Sequence, residues 1–187
     1  ALGGCKCQRS GDVIVSQDEL PSRAKPEKIP HLKPAFSEEG TVTAANASSI
    51  ADGAASLVLS RKSVANKNGW KVIAEISGQS ECAGEPRWFT TAPCSAMALL
   101  LKKLHWKLSD VDLFEINEAF AVVTLAAIKE LGIEPSKVNV HGGACALGPP
   151  LGASGARILV TLGSALQTYH PDRGIARRST WPSHPPD

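Results

Sequence analysis

Little in this chain suits nucleic acid, metal or membrane. Aromatic residues are only 5% of the 187, and 20 Lys and Arg nearly balance 18 Asp and Glu, for a net charge of +2. No dense basic stripe interleaves with aromatics, so no nucleic-acid partner is expected. Apolar runs such as Ile158–Leu162 fall far short of the roughly 20 residues that a membrane-spanning helix needs, and no membrane role is expected. The opening residues hold no basic stretch followed by an apolar run, so no secretory signal is expected. Cysteine is scarce and odd in number, at five. No CxxC pair occurs, and Cys5-Lys-Cys7 lacks the spacing of a structural zinc site. The five are therefore expected to be free thiols in a reducing compartment, which favours a cytoplasmic location. A mitochondrial parent is the other option. His31, His105, His141, His170 and His184 form no HxxxH or similar cluster, and no metal site is expected.

What remains is ordinary for a globular protein, with 43% hydrophobic and 20% charged residues and length for one sizeable domain. Residues 1–40 are polar and rich in Pro and Lys, and read as a loop or linker. The spacing of Ala54, Leu57, Val58 and Val64 predicts a helix ending at Gly69. Val72–Ile76 alternates like a strand. Pro93 opens a helix closing near Leu104, Val111–Ile116 reads as a strand, and Asn117 is placed to cap a helix ending at Gly132. Val138–Val140 predicts a further strand, and the segment from Ala156 to Leu166 a last helix. Alternating strands and helices argue for an α/β layered domain over residues 41–176. After Gly174 the prolines at 182, 185 and 186 argue against a long central strand, and residues 177–187 read as an irregular tail.

Three motifs could carry chemistry. Asn117 at a strand–helix junction either caps the helix or sits where backbone N–H groups favour a developing oxyanion. Residues 141–155 hold five glycines, which let a backbone approach a ligand closely or simply make a tight turn. They do not fit a phosphate-binding loop. The small residues of Gly40–Ala55 suit either an extended ligand or close packing. Cys94 and Cys145 have no neighbouring basic group to activate them, and read as core thiols.

In order along the chain, LKPAF (Leu32–Phe36), GTVTAANASSIADGAA (Gly40–Ala55), FTTAPCSA (Phe89–Ala96), EINEAFA (Glu115–Ala121) and KVNVHGGACALGPPLGASGARIL (Lys137–Leu159) resemble the thiolase family. The resemblance is to its members that form or cleave acetoacetyl-CoA, and it covers roughly residues 30–176. It implies the C-terminal half of the layered thiolase fold, a mixed sheet flanked by helices. It also implies acetyl-CoA acetyltransferase chemistry, with acyl-CoA or coenzyme A as substrate and no covalently bound cofactor. Asn117 matches the asparagine of the NEAF motif, which holds a water in an oxyanion hole. Ala119 and Phe120 match positions near the acyl pocket. Ser48 matches the serine that contacts coenzyme A, while Ala35 and Phe36 match positions lining its pantetheine arm.

Two departures bear on activity. Pro149 stands where the family's glycine loop carries a catalytic His, and proline has no proton to give or take. Ser179 stands where a second catalytic Cys is expected. The family's nucleophilic Cys lies in an N-terminal half taken to be absent, and none of the five cysteines sits in a matching motif. The expectation is a truncated chain, inactive alone. A non-catalytic fragment that binds CoA, or associates with copies of itself or a full-length thiolase through an exposed apolar layer, is the alternative.

Overall fold

The computed structural model describes residues 3–7, 11–82, 84–85, 88 and 90–178. Two units separate at residues 32 and 33. In the first, β1 (Gly3–Cys7) and β2 (Gly11–Val15) form an antiparallel hairpin with Gly3 opposite Val15. A short helix, α1 (Glu19–Arg23), follows, with the Asp18 side chain accepting the Leu20 N–H at its start. Local structure is thus present where composition suggested only loop.

The second unit carries the core. Its elements are α2 (Lys62–Lys67), α3 (Ala92–Leu104), β3 (Leu113–Ile116), α4 (Ala121–Leu131), α5 (Ala144–Leu147), α6 (Ser154–Tyr169) and β4 (Gly174–Arg177). β3 and β4 pair in parallel, Leu113 opposite Gly174 and Ile116 opposite Arg177. All four residues of β3 are buried, as a strand covered on both faces must be. Phe114 and Ile116 point into a cluster with Cys94 and Met97 of α3 and Val123 and Ala127 of α4. Leu113 turns the other way, onto Leu162 and Ala165 of α6. Successive strand residues face opposite sides, so this alternation produces a helix–sheet–helix sandwich. The fold is α/β, and the described sheet of this unit is parallel where a mixed one was expected.

The helix ends follow their sequence signals in part. Pro93 lies in the first turn of α3, where its missing N–H costs nothing. Gly132 closes α4 at φ 70°, a left-handed conformation that glycine adopts freely. Asn117, however, caps no helix: α4 begins four residues later, after Phe120. The expected helix from Ala54 shrinks to α2, and Ile50, Val58 and Leu59 stand exposed. An amphipathic stretch becomes a stable helix mainly by packing its apolar face, and this one has little to pack on. Residues 72–76 form no strand; Val72, Ile73 and Ile76 are exposed, and a strand without a ladder is not stable. Val138 makes only a single parallel bridge to Phe114, because Asn139 turns to φ 49° and leaves the strand. Conversely, β4 ends the domain expected over residues 41–176 and takes in Arg177, the first residue of the segment expected to be irregular.

Candidate active site

The site residues gather where β3 ends. The Asn117 N–H donates to the Arg177 carbonyl at 2.9 Å and extends the β3–β4 ladder by one step. Asn117 is 7% exposed, and its Oδ1 is buried without a hydrogen-bond partner. Buried polar atoms are nearly always satisfied, so this unpartnered oxygen leaves Asn117 with an acceptor to offer a bound group.

The strap Asn46–Ala51 runs beside it. The Ala119 carbonyl accepts both the Ser48 N–H, at 3.2 Å, and the Ser48 hydroxyl, at 2.9 Å. Ala47 bridges Phe120 in antiparallel fashion, and Ala121 N–H reaches the Asn46 carbonyl at 2.9 Å. Asn46 holds its own loop in shape: its Oδ1 accepts the Thr43 N–H at 2.7 Å and its Nδ2 donates to the Thr41 carbonyl at 2.9 Å. Further along, Ala51 N–H points to the carbonyl of Pro149 at 3.4 Å. One strap thus touches both the NEAF segment and the glycine-rich loop. Because the Ser48 proton is committed to Ala119, what this hydroxyl offers a ligand is its oxygen lone pairs.

Phe36 meets Phe120 edge to face, with centroids 5.4 Å apart and rings at 86°, a favoured geometry for an aromatic pair. Phe36 is nevertheless 73% exposed. The pair is an apolar rim open to solvent. Ala35 joins it only through the chain, its N–H donating to the Val42 carbonyl at 2.8 Å. Pro149 is buried. Ser179 lies outside the described residues. A shallow groove of about 550 Å³ elsewhere, lined by Ser80, Leu99, Lys103 and His105 among others, includes none of these positions.

Residues that local sequence patterns did not single out complete the arrangement. Glu118 accepts Asn139 Nδ2 on Oε1 at 2.7 Å and the Cys145 N–H on Oε2 at 3.0 Å. The signal for Asn139 was a polar residue between two valines, which in a buried strand needs a partner. Burial, reinforced by Glu118, pushes the Cys145 thiol up to about 11; burial and Glu130 do the same to Cys94. Both are neutral thiols near pH 7.

Residues 70–178 match the family model of the thiolase C-terminal domain. The chain belongs to the thiolase family. Residues 5–63 match the thiolase N-terminal domain, which corrects the expectation that this half is missing entirely. A probable acetyl-CoA acetyltransferase of Dictyostelium discoideum is 50% identical to this thiolase chain over 169 residues, 90% of the chain and 41% of that protein. The acetyl-CoA acetyltransferase of Bacillus anthracis superposes with a TM-score of 0.86 at 41% identity, over 96% of this chain and 46% of its own. A thiolase of Ascaris suum, solved in complex with coenzyme A, superposes at 0.75 with 44% identity, over 88% of this chain and 43% of its own. The chain therefore spans about two-fifths of the length of the curated relatives it matches.

The Ser48 link makes one direct prediction. Ser48→Ala removes the hydroxyl bond to Ala119 but keeps the backbone one, so it should cost about 1 kcal/mol in denaturant unfolding. No measurable cost would mean that the hydroxyl bond holds nothing.

Proposed function

We propose that this chain supplies the CoA-thioester-facing part of an acetyl-CoA acetyltransferase-type thiolase and does not complete the reaction by itself. The observation that carries the reading is Asn117, held at the end of a buried strand with its amide oxygen unpartnered, beside the Ser48–Ala119 clip. In that role Asn117 orients a water toward a thioester oxyanion, where a fixed dipole stabilises developing charge. The apolar Phe36–Phe120 rim takes the pantetheine arm, and Ala35, Ala119 and Ser48 border its path. Coenzyme A and its thioesters are substrates, and no covalently bound cofactor is involved.

Covalent acyl transfer needs a thiolate. The thiols of Cys94 and Cys145 are driven away from ionisation by burial, and Pro149 has no proton to exchange. Ser179 would bring a hydroxyl where the second Cys is expected. A full-length thiolase subunit would supply the thiolate, whereas copies of this chain would only cover its exposed apolar layer. Leu99, Val122, Leu125, Leu159 and Val160 on α3, α4 and α6 are exposed apolar residues suited to such contact. The domain reading that goes with this takes residues 41–176 as the layered domain, after a 1–40 lead-in that carries Ala35 and Phe36 and before a 177–187 tail. A reducing, cytoplasmic setting fits the free thiols of Cys94 and Cys145.

The test is thiolysis of acetoacetyl-CoA by the 187-residue chain, with calorimetric titration of coenzyme A alongside. Binding without turnover is the expected result, and Pro149→His should not restore turnover because no activated thiolate is supplied. Thiolysis above background by either protein would overturn the non-catalytic reading; absence of CoA binding would remove the substrate assignment.

A further inference from the structure

β3 is supported on one edge by β4, but its other edge loses strand pairing beyond Val138, where Asn139 turns left-handed at φ 49°. The Asn139 side chain replaces the missing strand. Its Oδ1 accepts the Ile116 N–H at 2.8 Å and its Nδ2 donates to the Ile116 carbonyl at 2.9 Å. Those are the two bonds a neighbouring strand would have made to that residue. The same Nδ2 also donates to Glu118, whose second oxygen takes the Cys145 N–H at the start of α5. The carboxylate fills the space beside Gly143, where any Cβ would overlap it.

Glu118 sits between two residues on which the proposed function rests. Asn117 precedes it with an orphaned amide oxygen, and Ala119 follows it with the carbonyl that Ser48 grips twice. Fixing the Glu118 side chain against the glycine-rich loop therefore sets the direction of both neighbours. Hydrogen bonds to a charged acceptor are among the stronger ones in proteins, and here two of them join separate chain segments.

We infer that Glu118 and Asn139 are positioning residues, a polar lock that ties the segment bearing Asn117 to the glycine-rich loop and so presets the pocket for a CoA thioester. The thioester in this statement rests on the function proposed above; the lock itself rests on the bonds alone.

The experiment compares Glu118→Gln, Asn139→Asp and the double variant with the unaltered chain. Two readouts are used: hydrogen–deuterium exchange of the peptide covering residues 141–150, and calorimetric titration with coenzyme A. A glutamine in place of Glu118 must turn its NH₂ group toward one of two donors. An aspartate in place of Asn139 must face the Glu118 carboxylate without a proton to give. Each single variant should speed exchange of the Cys145 amide about tenfold and weaken CoA binding by about the same factor, the loss of one charged hydrogen bond. Amides of β3 and α6 away from the lock should keep their protection. In the double variant the introduced amide donates to the introduced carboxylate while its oxygen accepts from Cys145, so protection at Cys145 should return in part. Unchanged exchange at Cys145 in both single variants, or a double variant worse than either, would refute the lock. If the unaltered chain binds no coenzyme A, the proposed function fails, and the exchange data still decide the lock by themselves.

Discussion

Arg157→Leu should lower the unfolding free energy by about 3–5 kcal/mol at about pH 8, and by much less at about pH 5. Arg157 Nη1 meets Glu115 Oε1 at 3.2 Å, with the Arg157 side chain 13% and the Glu115 side chain 3% exposed. Burial pushes the Glu115 carboxyl from 4.5 up to about 7, against the opposing pull of the Arg157 charge and hydrogen bond. Between those two values the folded chain holds a proton that the unfolded chain has released. Glu115 therefore contributes less stability as pH climbs through that window, by about 3 kcal/mol in all. Without the guanidinium the carboxyl becomes still harder to ionise, so the damage concentrates above neutrality, where it would otherwise be charged. Urea unfolding of both proteins across the range measures this directly, and an equal loss at both ends would show that the pair acts only by packing. The ion pair is not well satisfied, since Arg157 Nε and Nη2 are buried without partners. Glu115→Leu combined with Arg157→Met should therefore recover most of the loss, because a buried pair can be replaced by apolar residues at little cost.

Gly143→Ala should cost about 2–4 kcal/mol, although its added methyl is small. Gly143 has φ −142°, a region open to any residue, so backbone strain is not the cause. The new Cβ would overlap the Glu118 carboxylate. It must expel that group and break its bonds to Asn139 and Cys145. Gly142→Ala next door is the contrast. Gly142 has φ 83°, and a Cβ added there would meet nothing within 4 Å, so its cost is that of a left-handed alanine, about 1 kcal/mol. Thermal or denaturant unfolding that ranks Gly142→Ala as the worse variant would mean that Glu118 is free to move.

The family was legible in the sequence. The glycines, the NEAF segment and the NASS strap occur in an order that marks the thiolase family, and long motifs of small residues survive as text. The helices α3, α4 and α6 were visible because an apolar face repeating every three to four residues has no other good use. The misplaced elements share one cause. Residues 54–61 and 72–76 have patterns that suit a helix and a strand, yet their apolar side chains stand exposed and unpaired. Propensity proposes an element, but packing or a ladder partner must stabilise it.

The sequence alone determined the family and the α/β class, and at Pro149 it placed a side chain with no proton to exchange, because residue identity decides chemistry. Tertiary structure decided that Asn117 is no helix cap, that the Ser48 proton is already committed, and that Asn139 completes a strand with its side chain. It also decided that Glu118 joins two segments and that Glu115 meets Arg157 in the interior. All but the first of those depend on groups 21 to 71 residues apart meeting at bonding distance, and no local pattern encodes a hydrogen bond whose two ends the chain brings together only by folding.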